Sequence, residues 1–220
     1  MKLLPFPGVF RPRSDSWLLA QLVELEPLLP DARVLDLCAG SGVLALTAAR
    51  TGGVSVVAVD VSRRAVIAIR ANARLNGVVV DARRGDLFDA VRGDRFDLVV
   101  SNPPYVPSGS DALPSRGASR AWEGGRSGRT LIDRICSEAP THLAPGGVML
   151  LVHSSVCGEG QTLEALAAGG LDAEVVARRV GQLGPLMRSR ADLLARRGLL
   201  GGLSEEELLV FKASVPAPVG

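Results

Sequence analysis

The sequence is poor in the residues that build metal centres and disulfide frameworks. Its 220 residues include only three cysteines and two histidines. The cysteines, Cys38, Cys136 and Cys157, are odd in number and far apart, and no CxxC pair occurs. A structural zinc site and a disulfide scaffold are therefore not expected, and we predict a site without a metal.

Long apolar runs are also missing. No segment approaches the roughly 20 apolar residues that cross a bilayer, and the opening MKLLPFPGVF lacks the apolar core of a signal peptide. Apolar residues still make up 47% of the chain, which is a globular composition. We expect one compact cytoplasmic domain without a membrane partner.

Lysine is scarce, since Lys2 and Lys212 are the only two and the other cations are arginines. The formal net charge is +2. So small a net positive charge gives little support for a surface dedicated to binding duplex nucleic acid. A nucleic acid is therefore not expected as the direct substrate.

The sequence does contain short apolar runs that alternate with helical patterns. The predicted strands cover residues Arg33–Leu37, 54–60, 78–80, Phe96–Ser101 and 148–153. The predicted helices cover residues 14–29, Val43–Arg50, 62–75, 129–143 and 160–168. Residues 171–180 and 205–212 are expected to pair antiparallel at one edge. The pattern predicts an α/β fold with a mostly parallel sheet and helices on both faces.

The first predicted strand runs directly into a glycine-rich turn of the form Gly40-x-Gly42-x-x-Ala45. Glycines at such a turn allow the backbone to approach a nucleotide closely, provided that a strand precedes and a helix follows. About 20 residues later the second strand ends at Asp60, whose carboxylate can accept hydrogen bonds from ribose hydroxyls. The motif predicts an adenosine-containing ligand; an ordinary strand–turn–helix with a capping aspartate is the alternative.

Acidic residues near this turn favour a ligand without phosphate. Asp36 would repel a pyrophosphate but suits the ammonium group of an amino acid. Asp86, which follows the third strand, can accept the adenine amino group, or it can cap a turn. S-adenosylmethionine has an ammonium and a sulfonium but no phosphate, so it is the predicted cofactor.

The most specific motif is Asn102-Pro103-Pro104-Tyr105 at the end of the fourth strand. The two prolines cannot donate hydrogen bonds, and Asn102 offers both an acceptor and a donor. Asn102 and the Pro103 carbonyl can hold an –NH₂ group, while Tyr105 covers a planar group. The motif predicts methyl transfer to a planar nitrogen, by positioning rather than by an obvious general base.

These motifs resemble those of the HemK-like protein-glutamine methyltransferases, and especially their single-domain branch, which modifies the GGQ glutamine of class I release factors. The matching segments are residues 10–19, 36–42, 102–105 and 121–129, with Asp60, Asp86, Asp133 and Arg134. The resemblance implies a Rossmann-like class I methyltransferase with a seven-stranded sheet. It also implies that segment 1–30 packs on the cofactor site of a methyltransferase domain formed by residues 31–220.

The predicted site follows from these motifs together. The expected cofactor-binding residues are Ser16, Asp36, Cys38, Ala39, Gly40, Gly42, Asp60, Val61, Asp86, Leu87 and Asn102. The expected catalytic residues are Asn102, Pro103, Pro104 and Tyr105. His142 and His153 are interpreted as structural. Arg126 and Arg129 are interpreted as supports for the long irregular loop over residues 102–128 or as contacts to a protein substrate.

The resemblance implies a protein substrate such as a class I release factor, and possible assembly with a small activator protein. A homo-oligomer is the other assembly considered, since residues 77–80 predict an apolar strand at a sheet edge. Three further readings share the cofactor turn: an adenine-N6 nucleic-acid methyltransferase, a small-molecule or peptide N-methyltransferase, and a non-enzymatic cofactor-binding subunit. The irregular stretch 183–202 is longer than its counterpart in the single-domain branch and has no predicted role.

Overall fold

The computed structural model describes residues 1–51, 55–200 and 205–216, and these form one seven-stranded sheet with helices on both faces. The strands are β1 (Arg33–Leu37), β2 (Ser55–Asp60), β3 (Asp81–Arg84), β4 (Phe96–Ser101), β5 (Leu143–Ser154), β6 (Asp172–Gln182) and β7 (Glu205–Ser214). Their order is β3-β2-β1-β4-β5-β7-β6. β7 is antiparallel to β5 and β6, and the other neighbours are parallel. The predicted sheet, with its antiparallel pair at one edge, is confirmed.

Helices cover the two faces of this sheet because successive strand residues point in opposite directions. They are α1 (Ser14–Leu25), α2 (Val43–Arg50), α3 (Arg63–Asn76), α4 (Thr130–His142), α5 (Glu159–Ala168), α6 (Pro185–Arg188) and α7 (Ala191–Arg196). On one face, Val34 of β1 belongs to the core formed with α1, α2 and α3. On the other face, Leu35 and Leu37 belong to the core formed with α4 and α5. The part of the chain that is described has no helix long and apolar enough to cross a membrane.

The third strand lies at the predicted edge but not at the predicted residues. Helix α3 ends at Asn76. The next residue, Gly77, has a φ of +65°, and the Val78 N–H donates to the carbonyl of Ala73 to close the helix end. Residues 78–80 therefore form the connection to β3 and not a strand, and Val79 is 89% exposed. The prediction of a strand over 78–80 is wrong, because the end of the helix takes up the start of the valine run.

The edge of the sheet is polar and is partly covered by the chain itself. Its strand carries Asp81, Arg83 and Arg84, and Arg83 pairs with Asp81 at 2.8 Å. Arg70 of α3 donates to the Ala82 carbonyl at 2.8 Å, which satisfies an acceptor that a neighbouring strand could otherwise use. The prediction that residues 77–80 form an apolar edge strand is therefore wrong, and it gives no support for assembly with another chain.

Other boundaries shift for local reasons. Helix α1 ends at Leu25 and not at residue 29, because Pro27 forces the preceding Glu26 into an extended conformation. The predicted start of the second strand, Val54, lies outside the described residues. The irregular stretch 183–202 contains α6 and α7, and its last two residues also lie outside the described ranges.

A small third core holds this α6–α7 segment, which we call the cap (residues 183–200), against the loop that follows β4. Its buried members are Val106, Val156, Leu183, Met187, Leu194 and Leu200. Arg190 of the cap pairs with Glu123 of the loop at 2.6 Å. Arg197 donates to the carbonyls of Ser108 and Arg126 at 2.8 and 2.7 Å. The cap therefore fixes one side of the loop that carries the most specific sequence motif.

Candidate active site

A cavity of about 400 Å³ opens at the carboxyl ends of the parallel strands. Between β1 and β4 the strand order reverses direction, and α/β sheets bind ligands in the crevice at such a point. The volume is in the range of small-molecule sites. The wall includes most of the predicted residues, namely Ser16, Cys38, Ala39, Gly40, Asp60, Val61, Asp86, Leu87, Asn102, Pro103, Pro104 and Tyr105.

The glycine-rich turn lines this cavity with Cys38, Ala39, Gly40 and Ser41. Gly42 precedes α2 with φ +84°, and a Cβ there would lie 3.2 Å from the Ile69 side chain. Its N–H donates to the Ala39 carbonyl at 2.7 Å. Gly42 itself does not line the cavity, so its role is to let the turn close and bring Gly40 to the wall.

Asp60 links the end of β2 to the glycine-rich turn. Its Oδ2 accepts from the Gly40 N–H at 2.9 Å, and its Oδ1 accepts from the Ser62 N–H at 2.8 Å. Burial raises the pKa of this carboxyl group above its usual value. One side chain on the cavity wall thus holds the turn and remains available to a ligand through the unused lone pairs of its two oxygens.

Asp86 also lies on the wall, but it already has a partner. Both of its carboxylate oxygens are 3.1 Å from Nη1 of Arg134, a second wall residue. Leu87 follows with φ +47° and a buried side chain. The pair places one acid and one guanidinium beside the turn, so a ligand reaching Asp86 meets both charges.

A second part of the wall, formed by Asp15, Ser16, Asn102 and Tyr105, is held by a chain of side-chain hydrogen bonds, and we call it the target end. Asn102 Nδ2 donates to Ser16 Oγ at 3.0 Å, and Ser16 Oγ donates to Asp15 Oδ1 at 3.2 Å. The Tyr105 hydroxyl donates to Asp15 Oδ2 at 2.9 Å. The first turn of α1 therefore orients both ends of the Asn102–Tyr105 motif.

The glycine-rich segment 121–129, the last part of the loop that follows β4, packs directly on the backbone of this motif. Gly128 has φ +80°, and a Cβ there would lie only 2.2 Å from the Tyr105 carbonyl oxygen. The Val106 N–H donates to the Trp122 carbonyl at 2.7 Å, and the Gly124 N–H donates back to Val106 at 3.0 Å. The segment is glycine-rich because the backbone of the motif occupies the space that side chains would need.

Comparisons with known proteins identify the family of the chain. Residues 2–114 match the family model described as Methyltransferase small domain. The chain is 35% identical over 179 residues to a protein of Methanocaldococcus jannaschii named for protein N5-glutamine methyl transfer, covering 81% of this chain and 88% of that one. It is 36% identical over 171 residues to the release factor glutamine methyltransferase of Gloeobacter violaceus, covering 74% of this chain and 59% of that enzyme.

The chain belongs to the HemK family of methyltransferases. Among solved structures, the E. cuniculi Mtq2–Trm112 complex, described as responsible for methylation of the eRF1 termination factor, aligns with a TM-score of 0.64. The alignment covers 95% of this chain and 99% of that one at 22% identity, so it supports the shared fold. The Rossmann-like class I methyltransferase fold is confirmed, and the protein is an S-adenosylmethionine-dependent enzyme.

The cavity of this HemK-family protein fits S-adenosylmethionine chemically. When bound, the cofactor supplies a methyl group on a positively charged sulfur. The wall provides the carboxyl groups of Asp60 and Asp86 for polar groups of an adenosine, and its glycine turn has no cationic side chain of the kind that phosphates attract. The individual cofactor contacts stay predictions.

Asp36 lies beneath the turn, and the cavity wall does not include it. Its side chain is fully buried, and its Oδ2 accepts from the Ala45 N–H at 2.9 Å. Its Oδ1 is buried without a hydrogen-bond partner among the described residues. Burial, with a smaller contribution from the charge of Asp60, raises the pKa of Asp36 from 3.8 to about 8.

This raised pKa predicts a loss of stability of the cofactor-free protein between pH 6.5 and 8. The folded state keeps the Asp36 proton up to about pH 8, whereas the unfolded chain releases it near 3.8. The unfolded state therefore binds fewer protons, and its free energy falls relative to the folded state as pH rises, by about 1.5 kcal/mol over this window. Below pH 6.5 the effect is opposed by His153, whose pKa is lowered to about 4 by burial.

Denaturant unfolding at several pH values measures this slope. Asp36→Asn should remove it, whereas the variant of an exposed acid, Asp81→Asn, should keep it. A wild-type stability that does not change between pH 6.5 and 8 would contradict the protonated Asp36.

Several wall residues were not among the predicted site residues. Polar and large side chains among them include Asp15, Trp122, Glu123, Arg134, Met187 and Glu206. Asp15, Trp122, Glu123 and Arg134 belong to the parts of the sequence that carry the family resemblance, and that resemblance could have indicated them. Met187 and Glu206 belong to the cap and to β7, for which no motif exists.

The two arginines and two histidines that the sequence placed outside the predicted site have the following positions. Arg129 is buried and donates to the Cys157 carbonyl at 2.6 Å and to Asp133 at 2.6 Å, so it supports the loop; Arg126 is exposed. His153 is buried and stacks on Phe211, and His142 stacks on Phe88. Neither histidine lines the cavity, as expected for structural residues.

Proposed function

We propose that this enzyme transfers a methyl group from S-adenosylmethionine to the side-chain amide nitrogen of a glutamine in a protein, with the GGQ glutamine of a class I release factor as the substrate. The observation that carries the proposal is that Asn102 and Pro103 line the same cavity as Gly40 of the glycine turn. Both relatives named above carry glutamine methyl transfer in their names.

The proposed chemistry depends on holding a poor nucleophile. The lone pair of an amide nitrogen is delocalised, so the –NH₂ group must be positioned and polarised. Asn102 Oδ1 and the Pro103 carbonyl accept its two N–H groups, and the Tyr105 ring covers its plane. Alignment of this kind can lower a reaction barrier by roughly 7–11 kcal/mol. The proton leaves late, to solvent.

The proposal includes the protein substrate of the enzyme, its place of action and its state of assembly. We expect a release factor as protein substrate and the cytoplasm, where translation occurs, as its place of action. A small activator protein or a second copy of the chain is the remaining possibility for assembly, and the polar edge strand favours an enzyme that is active by itself. Size-exclusion chromatography with an activity assay measures this directly.

Incubation of the purified enzyme with methyl-labelled cofactor and a class I release factor is expected to place label on the GGQ glutamine. The matched control is the same release factor with that glutamine changed to alanine, which should stay unlabelled. Nuclease-treated and protease-treated cell lysates are tested in parallel. Label that disappears after nuclease treatment would support the adenine-N6 alternative, and label that survives both treatments would support a small molecule.

A further inference from the structure

Glu206 belongs to the cavity although no sequence motif includes it. Strand β7 runs antiparallel to β5, and Leu208 pairs with Ser154 at the end of that strand. The first residues of β7 therefore lie at the edge of the sheet where the parallel strands end. There Glu206 lines the same cavity as Tyr105.

The carboxyl group of Glu206 is only half satisfied. The residue is 9% exposed, and its Oε1 accepts from the Gly184 N–H of the cap at 2.8 Å. Its Oε2 is buried and has no hydrogen-bond partner within the described residues. A buried oxygen without a partner is costly. A donor on a bound molecule would remove that cost.

Two further acids of the cavity wall are already engaged, and one of them, Glu123, pairs with Arg190. Asp15 accepts from the Ser16 N–H at 2.6 Å, from Ser16 Oγ and from the Tyr105 hydroxyl. The pKa of Tyr105 is well above its usual value because of burial and the negative charges of Asp15 and Glu206. Glu206 lines the same cavity as Tyr105 and, unlike Asp15, keeps an oxygen without a partner among the described residues.

We propose that Glu206 is a substrate-positioning residue whose Oε2 accepts a hydrogen bond from a main-chain N–H of the protein segment that carries the target glutamine. This inference rests on the proposed function. In a GGQ segment the two glycines have no side chains, so main-chain N–H groups are the donors nearest to the glutamine. Asn102 and Pro103 would hold the side-chain amide, and Glu206 would hold the backbone from which it extends.

Glu206→Gln tests the proposal with little change of shape. The new Oε1 can still accept from Gly184, but the group facing the substrate becomes an –NH₂ donor. The KM for the release factor should rise about 10- to 150-fold, the range for losing a hydrogen bond to a charged group. Since that bond is made in both the bound and the transition state, kcat should stay near the wild-type value. Cofactor affinity and the melting temperature should be unchanged.

Glu207→Gln is the matched control, because the Glu207 side chain is 40% exposed, pairs with Arg178 and does not line the cavity. A second measurement uses release factors in which the main-chain amide N–H is replaced by an ester oxygen, first at the glutamine and then at the following residue. One ester should raise the wild-type KM, and the same ester should cause no further loss in Glu206→Gln.

The outcomes separate this inference from the proposed function. A wild-type enzyme that leaves the release factor unmethylated overturns both. A wild-type enzyme that methylates it, with an unchanged KM in Glu206→Gln, overturns only the role of Glu206. If the increase in KM caused by the ester is the same in Glu206→Gln as in the wild type, the two changes act independently. That result also overturns the role of Glu206. A lowered melting temperature in Glu206→Gln with no effect of either ester on the wild type assigns Glu206 to the cap alone.

Discussion

Asn102→Ala is expected to slow methyl transfer by at least about 100-fold while leaving cofactor affinity unchanged. The substitution removes the acceptor that would hold the substrate amide and the donor that binds Ser16. Each unpaired group costs about 1–3 kcal/mol, and misalignment of the amide adds to this. At about 1.4 kcal/mol per tenfold change in rate, the sum gives the expected loss. Single-turnover methylation of a release factor, paired with cofactor titration, measures both quantities.

The matched control for this variant is Asn76→Ala. Asn76 makes hydrogen bonds to Lys2, away from the cavity, so its loss should leave the rate of transfer at the wild-type level. Wild-type turnover in Asn102→Ala would show that the amide is held by other groups. A variant that fails to bind cofactor would assign Asn102 to the cofactor half of the cavity.

Asp60→Ala is expected to weaken cofactor binding by about 10- to 150-fold, the range for losing a hydrogen bond to a charged group. The proposed interaction is with the ribose hydroxyls. The structure adds a second reason for a loss, because the same carboxyl group holds Gly40 at 2.9 Å and Ser62 at 2.8 Å. Without it the turn keeps the backbone hydrogen bond from the Ala39 N–H to the Val59 carbonyl but loses the bond that holds Gly40. Calorimetric titration with S-adenosylmethionine measures the affinity.

Asp89→Ala is the control, since Asp89 pairs with Arg92 at the surface and does not line the cavity. Its affinity should match that of the wild type. The raised pKa of Asp60 adds a pH dependence to the test. Affinity should fall as pH decreases through that pKa, because protonation removes the charged acceptor. An Asp60→Ala variant with wild-type affinity would remove Asp60 from the cofactor site.

The sequence predicted those parts of the site whose residues are close together along the chain. Gly40, Gly42 and the Asn102–Tyr105 motif depend on local strand ends and turns, which periodicity and glycine positions indicate. The third strand was misplaced because three valines suggest a strand regardless of where the preceding helix ends. Only the closure at Gly77 decides that point.

Glu206 shows a different limit of sequence analysis. It lies between Glu205 and Glu207 in a run of three glutamates, and residue type does not distinguish among them. Its burial follows from the antiparallel register of β7 and from the position of Gly184 in the cap. Both are long-range features, which a pattern within a short window does not contain.

The hydrogen-bond chain at the target end also constrains how activity arises during biosynthesis. Asp15 lies 90 residues before the Tyr105 that it orients, and Glu206 follows only in the seventh strand. Contacts between such distant segments form late, since the entropy of closing long loops must be overcome first. A nascent chain that has already produced the glycine turn and the Asn102–Tyr105 motif still lacks part of its cavity wall. The cavity wall is therefore complete only after β7 has been translated.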